Sequence, residues 1–443
     1  MNYKKEVFVE HIKNAGVVGA GGAGFPTHVK VDAKADYVIL NAAECEPLLR
    51  VDQQLIDLYA DEIIEGLSII TKVVGAKEAF IGIKGKHSAV ISNLSKKIEG
   101  KNKIEIFQLE DFYPAGDEQI LVYEITKRVV PEASIPLKVG CIVINVETVL
   151  NIFNSLNEIP VTHTFVTIAG EVDKPSTFKL PIGITIREAL ELAGIKDGED
   201  LSIIEGGPMM GDLILDWEKP ITKTTKGLIA LKSDSYIINK KRINEDQALR
   251  MSKAACLQCR MCTDMCPRYL LGHKMYPHLT MRKSNYDRKG TQGAEIAYLC
   301  SECAVCELYA CPAGLSPRLI NIHYKKKLNE NGEKYISSNE EPHAKHLMDY
   351  RKVPVKRLIS RLGLDNYDVD APLYDIDYKP KVVNIPLKQH IGRASIPIVE
   401  IGQNVIKGEL IGDIPKDSLG AKVHSSIDGK VVQISDVITI EGI

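Results

Sequence analysis

The 443-residue chain has almost no excess charge: 56 Lys and Arg stand against 58 Asp and Glu, a net of −2. No basic footprint is present to attract nucleic acid. No apolar run approaches the length of a membrane span, so any membrane contact would go through a partner. The opening MNYKKEVFVEHIKNAG lacks the apolar core of a signal peptide. Cysteine is scarce outside two short runs, with only Cys45 and Cys141 lying elsewhere. Thiols grouped for metal binding, with so few left over, fit the cytoplasm better than an oxidising compartment. Cys141, in the apolar run CIVINV, reads as an inert buried residue, whereas Cys45 sits inside a polar motif. The length exceeds what one compact core supports and suggests about three domains.

The first cysteine run is Cys256, Cys259, Cys262 and Cys266 followed by Pro267; the second is Cys300, Cys303, Cys306 and Cys311 followed by Pro312. The spacing C-x2-C-x2-C-x3-C-P is that of two-cluster bacterial ferredoxins, and the second run has one extra residue before its last cysteine. In such runs three thiolates on one turn grip a cubane while the fourth ligates the other cluster. The expected sets are therefore Cys256, Cys259, Cys262 and Cys311 for one [4Fe–4S], and Cys300, Cys303, Cys306 and Cys266 for the other. C-x2-C pairs also build Zn(Cys)4 sites. Three evenly spaced cysteines plus Cys-Pro, occurring twice, favour cubanes and electron transfer. His273 and His278 follow the first run and read as structural, since all eight ligand positions are filled. Arg260 and Arg268 read either as solvated charges or as groups that tune the cluster or guide an acidic partner.

Residues 37–150 alternate apolar strands (YVILNA, AFIGIKG, KIEIFQL, CIVINV) with helical patterns near 52–73, 87–98, 116–128 and 147–156. Such alternation implies a parallel sheet covered on both faces. Ahead of the first strand, Gly19, Gly21, Gly22 and Gly24 leave backbone N–H groups bare for a phosphate or a flat ring. Lys30 adds a positive charge. The strands run into NAAECEP (41–47), PAGDE (114–118) and NVET (145–148), polar clusters where α/β sheets place ligands. Helix capping is the plainer role for Glu147 and Thr148.

GAGGAGFPTHVK, NAAECEP, PAGDE and NVET together resemble the FMN-binding domain shared by the flavin subunit of respiratory complex I and the Rnf-complex C subunit-like family. The resemblance implies that Gly19, Gly21, Gly22, Gly24 and Lys30 surround the FMN phosphate and ribityl chain. Asn41, Glu44, Asn145 and Thr148 would meet the flavin from the strand ends. It further implies that Phe25 packs on NADH and that Glu118 lies beside it, the two nearest to catalytic roles, with Glu44 and Glu118 orienting the rings. Two departures stand out. The second aromatic of the complex I nucleotide site is replaced by Val31-Asp32-Ala33, and its paired asparagines are reduced to Asn145.

A hairpin pattern (THTFVTIAGEV, DKPSTFKLP), a helix with a Thr185/Glu188 capping box and the turn GGPMMG resemble a β-grasp module of the soluble-ligand-binding type. It shows no chemical residues in sequence; a scaffold role is expected, with Met209 and Met210 as packing. Residues 335–380 read as a linker, or as a helix (VPVKRLISRLGL) lying across another domain. Beyond them, GQNVIKGELIG matches lipoyl-type barrel-sandwich turns but lacks the carrier lysine tripeptide. The expected fold is multidomain: a 1–158 FMN/NADH-binding α/β domain, a 159–240 β-grasp domain, a 241–332 helical two-cluster ferredoxin-like domain, a 333–380 linker and helix, and a 381–443 lipoyl-like barrel-sandwich hybrid.

With the barrel sandwich at the carboxyl end, this order resembles the corrinoid (cobalamin) reductases of propanediol-utilisation microcompartments and the electron-transfer protein associated with proline reductase. The resemblance implies an NADH-dependent oxidoreductase whose FMN and two [4Fe–4S] clusters feed a corrinoid-dependent or proline reductase system. It would be cytoplasmic, within a microcompartment or peripheral to a membrane complex. Two alternatives stay open: a peripheral NADH-oxidising subunit of an Rnf-type membrane complex, and a pure electron relay without nucleotide binding.

Overall fold

The computed structural model describes residues 3–101, 103–195, 200–287, 289–337 and 341–443. The first two residues of the amino-terminal stretch and 338–340 of the expected linker lie outside them. Among the described residues, no helix is long and apolar enough to cross a membrane.

Four parallel strands form the first sheet, in the spatial order Ile104–Leu109, Glu78–Lys84, Tyr37–Ala42, Cys141–Asn145. The central residues of the last three are nearly all buried, as apolar strands covered on both faces require, whereas the edge strand Ile104–Leu109 is buried only at its two ends. The first strand in sequence sits between the second and the last, so the winding direction reverses beside it. Asn41 and Asn145 are register partners at the carboxyl ends of that pair. A topological switch point of this kind opens a crevice, the usual ligand position in α/β sheets. The helical pattern near 52–73 is two helices, Val51–Leu58 and Ala60–Val73, broken at Tyr59. Its register stays apolar throughout, so periodicity alone does not reveal the break.

The second sheet has six strands in the order Leu373–Tyr374, Ser176–Pro181, His163–Gly170, Gly227–Lys232, Leu201–Glu205, Asp212–Ile214. Its helix Ile186–Leu192 begins with the Thr185/Glu188 capping box. The outermost strand comes from the 333–380 segment, which therefore straps the domains together. Val353 and Pro354 pair with Tyr113 and Phe112. The following helix Val355–Leu362 buries Val355, Leu358, Ile359 and Leu362, the i, i+3, i+4, i+7 face that the sequence presents. The carboxyl-terminal module folds as two small sheets of four and three strands.

The first cysteine run turns on Met261–Asp264, an α-helical turn. The second turns on Val305–Ala310, a π-helical turn. The extra residue before Cys311 explains the difference, because an i→i+5 turn accommodates one inserted residue. Left-handed residues recur at matching offsets, Gln258 and Arg260 in one run, Glu302 and Ala304 in the other.

A buried ion pair joins the cysteine domain to the first sheet. Arg268 donates to both carboxylate oxygens of Asp117 at 2.7 and 2.9 Å. This replaces the solvated or partner-guiding reading of Arg268, whose side chain is 11% exposed. Burial pushes the Asp117 carboxyl up, but the guanidinium and the N–H groups of Gln119 and Ile120 outweigh it and hold the carboxyl below the usual range. His273 is likewise buried and bonds the Val130 carbonyl, and His278 bonds Thr263. Removing one partner of a buried pair strands the other charge. Arg268→Met should therefore destabilise the protein by about 3–5 kcal/mol. Arg268→Met/Asp117→Asn should recover part of that loss in a thermal-unfolding double-mutant cycle; additive losses would show that the pair does not couple.

Candidate functional site

The glycine loop is a closed structure. Val18 bridges Pro26, and the Gly19 amide donates to the Phe25 carbonyl at 2.9 Å. Thr148 pins the loop from below, its Oγ1 accepting from the Ala20 amide at 2.9 Å. The helix cap after the last strand is instead Asn145, whose Oδ1 accepts from the Glu147 amide. Capping is thus not the role of Glu147 or Thr148. Gly24 has φ +71°, and a Cβ there would lie 2.9 Å from His390 Cα in the barrel sandwich. Gly21 packs on Asn145, where a Cβ would sit 3.0 Å from Nδ2. At Gly22 a Cβ would meet nothing.

This loop, the strand ends and two further modules enclose a cavity of about 1240 Å³. All nine expected flavin-contact residues line it, as do Phe25 and Glu118. Lys30 reaches it with its ammonium engaged: Nζ donates to Glu118 Oε1 at 3.0 Å and to the Val143 carbonyl at 2.9 Å. Asn41 donates to the Gly116 carbonyl and accepts from the Ala43 amide, fixing the acidic turn against the first strand. Glu44 has φ +23°, which directs its carboxylate to the Gln53 amide at the next helix start.

Most of the remaining wall was not legible in the sequence. Asp52 accepts from Asn145 Nδ2 at 2.9 and 2.8 Å. Lys226, from the β-grasp module, reaches the same wall and bonds Glu147 and Thr164. That module thus places chemical groups at the cavity, contrary to a purely scaffold reading. Glu46 is a clamp: its carboxylate accepts from the Met209 and Met210 amides at 2.9 Å each. The loop Lys388–Gly392 of the barrel sandwich forms a further wall, with the Ile391 amide donating to the Ala23 carbonyl. An acidic residue in the first turn after NAAECEP is a faint sequence signal for Asp52. For Lys226 there is none, since only tertiary packing brings it here.

The cysteines assemble as the alternating sets. Cys256, Cys259, Cys262 and Cys311 surround one small cavity. Cys262 feels the charges of Cys311, Cys256 and Cys259, and Cys266 feels those of Cys303 and Cys300. Among the described residues no three metal-ligating side chains converge on a single ion. Backbone N–H groups of Leu315 and Glu302 already point at the Cys311 and Cys300 sulfurs. Both sets, and the bare glycine backbone beside a nucleotide-sized cavity, fit the groups that the sequence implies.

Cys303 also lines the large cavity, and Tyr113 donates to its carbonyl at 2.9 Å. Cys306 in turn feels Cys262 of the other set, whose Cys259 is exposed. Cys45 packs where a Cβ on Gly116 would lie 3.1 Å from its sulfur, and burial pushes its thiol up to about 12.

The fold and site define a flavin- and iron–sulfur-type electron-transfer reductase. Residues 12–154 match the Nuo51 FMN-binding domain, 165–213 the SLBB domain, 255–316 a 4Fe-4S dicluster domain and 368–442 the RnfC barrel sandwich hybrid domain. Cobalamin reductase PduS of Citrobacter freundii is 43% identical over 438 residues, 98% of this chain and 96% of the relative. The Salmonella typhimurium protein of that name is 41% identical over the same shares. The C component of the Na(+)-translocating ferredoxin:NAD(+) oxidoreductase complex of Acetobacterium woodii is 34% identical over 58% of this chain and 57% of its own. The chain belongs to the PduS family.

Gly22 offers a clean test of the glycine loop, because its substitution meets no protein atom. Gly22→Val should leave thermal stability of the flavin-free protein unchanged while flavin occupancy after reconstitution falls at least tenfold (about 1.4 kcal/mol). Full occupancy in the variant would place the flavin elsewhere.

Proposed function

We propose that the chain passes electrons from NADH, through FMN and two [4Fe–4S] clusters, to a partner enzyme that works on a corrinoid. The observation that carries this reading is the position of Cys303, at once a wall of the large cavity and a member of the inner cysteine set. The PduS relatives favour cobalamin reduction over a proline reductase system. A bound flavin accepts two electrons as hydride and releases them singly, the conversion that one-electron clusters need.

The chain's own residues supply position and electrostatics. The glycine loop, held by Thr148 below and by the 388–392 loop above, presents bare backbone to the cavity. Phe25 and Glu118 stand at the same cavity as candidates for meeting the nicotinamide nucleotide. Tyr113 couples the wall to the inner set, Cys300, Cys303, Cys306 and Cys266. The outer set, Cys256, Cys259, Cys262 and Cys311, carries the exposed Cys259, with Leu257 75% exposed beside it. The inner set therefore receives electrons first and the outer set hands them on at the surface.

Anaerobic mixing with NADH checks donor and order together. Wild-type protein should bleach flavin and both cluster signals. Cys259→Ser should retain bleaching of the inner cluster while reduction of the partner falls by at least tenfold; Cys303→Ser should stop transfer beyond the flavin. Bleaching by reduced ferredoxin but not by NADH would leave a relay without nucleotide binding.

A further inference from the structure

Beside the glycine loop the cavity wall gathers three ionisable side chains, Glu44, Asp52 and Lys226, with a fourth, Glu147, buried behind Lys226. Glu44 follows the first strand, Asp52 opens the next helix, Glu147 opens the helix after the last strand, and Lys226 arrives from the β-grasp module. Glu147 and Lys226 are almost wholly buried and bonded to each other. Glu44 and Asp52 are half-buried and reach solvent through the cavity they line. Their remaining partners are neutral: Asn145 for Asp52, and backbone N–H groups for Glu44. The nearby Arg50 is committed to Asp368 and to the Leu49 carbonyl. Three carboxyl groups thus share the Lys226 ammonium, and that ammonium is taken.

Two neighbouring carboxyl groups partly withdrawn from water ionise less readily than exposed ones, and their protons belong to the pair rather than to either residue. Burial, then the neighbouring Asp52, raises the Glu44 carboxyl well above the usual range. Burial raises Asp52 too, against the pull of Asn145 and Lys226. Burial lowers Lys226, opposed by Asp52 and Glu44. The pair therefore keeps its protons to higher pH than an exposed carboxyl pair would.

Reduction of a flavin by NADH consumes the hydride and one further proton: FMN, NADH and H⁺ give FMNH2 and NAD⁺. Return of two electrons to two one-electron acceptors releases two protons. We propose that Glu44 and Asp52, with Lys226 setting the local charge, form the proton-holding group of the cavity, giving up a proton as the flavin is reduced and regaining one as it is reoxidised. This rests on the reading that the flavin occupies the cavity, and it assigns a chemical part to the β-grasp lysine. Replacing Lys226 removes the cation that faces the pair and strengthens proton retention; replacing Asp52 by its amide removes the neighbouring charge and weakens proton retention at Glu44.

Two measurements test it. Infrared spectroscopy of flavin-free protein reads the carboxyl pair without any flavin. A protonated-carboxyl stretch should be present at neutral pH, lose the Glu44 component in Glu44→Gln, fade at lower pH in Asp52→Asn, and persist to higher pH in Lys226→Met. Reductive titration of flavin-loaded protein reads the coupling. The pH dependence of the flavin midpoint potential should change slope across the neutral range in wild type. That inflection should move to lower pH in Asp52→Asn and be displaced upward by about one pH unit or more in Lys226→Met. Absence of a protonated carboxyl in the flavin-free wild type overturns the proposal. So does an inflection unmoved by Asp52→Asn and Lys226→Met. Failure of wild type to bind flavin in the cavity would sink the functional reading instead, and the infrared signal still shows whether the pair holds its proton.

Discussion

The distance between the large cavity and the inner cysteine set is fixed by a few buried polar contacts. Tyr113 bonds the Cys303 carbonyl, and Asp117 grips Arg268 two residues beyond Cys266. Both anchors leave the same short segment, 113–117, which also lines the cavity. One rigid turn therefore holds the flavin-type site and the cluster-type site together. A hinge here would break electron transfer, because it would let the cavity wall drift from the inner set. The strap 349–374 reinforces the joint: its Val353 pairs with Tyr113, and its helix buries an apolar face between the domains.

The cavity is likewise a joint product. The first sheet supplies the glycine loop and strand ends, the β-grasp module supplies Lys226, and the barrel sandwich supplies the 388–392 loop. Glu46 and Lys223 act as bolts between these parts. Glu46 grips the Met209–Met210 turn, and buried Lys223 donates to the Gly16 and Lys422 carbonyls. Burial lowers the Lys223 amine to about 7, while its two carbonyl partners satisfy its N–H groups.

Much of this was legible in the sequence because the signals were local. Cysteine spacing encodes two turns and the placing of Cys311 beside the first run, glycine density encodes a bare loop, and the Thr185/Glu188 pair encodes a helix start. The Val355–Leu362 helix announced its buried face through its period. What escaped were roles created by tertiary register. Arg268 looks like any arginine beside a cysteine run until Asp117 is brought to it. Glu147 looks like a first-turn acid, yet its partner is Lys226, 79 residues away. The break at Tyr59 and the barrel-sandwich wall left no trace in local patterning.

The docking of the barrel sandwich has a consequence for how such proteins are built. Lys422 donates to Asn14 of the first helix, and His390 packs on Gly24. The module's berth is therefore beside the earliest helix and loop of the flavin-type domain, although it follows them by hundreds of residues in sequence. Its location in space and its rank along the polypeptide are decoupled, so a gene rearrangement that moves it to the front would let it settle onto the same seat. Permutation of this kind would preserve the assembled wall while changing only the connecting peptide.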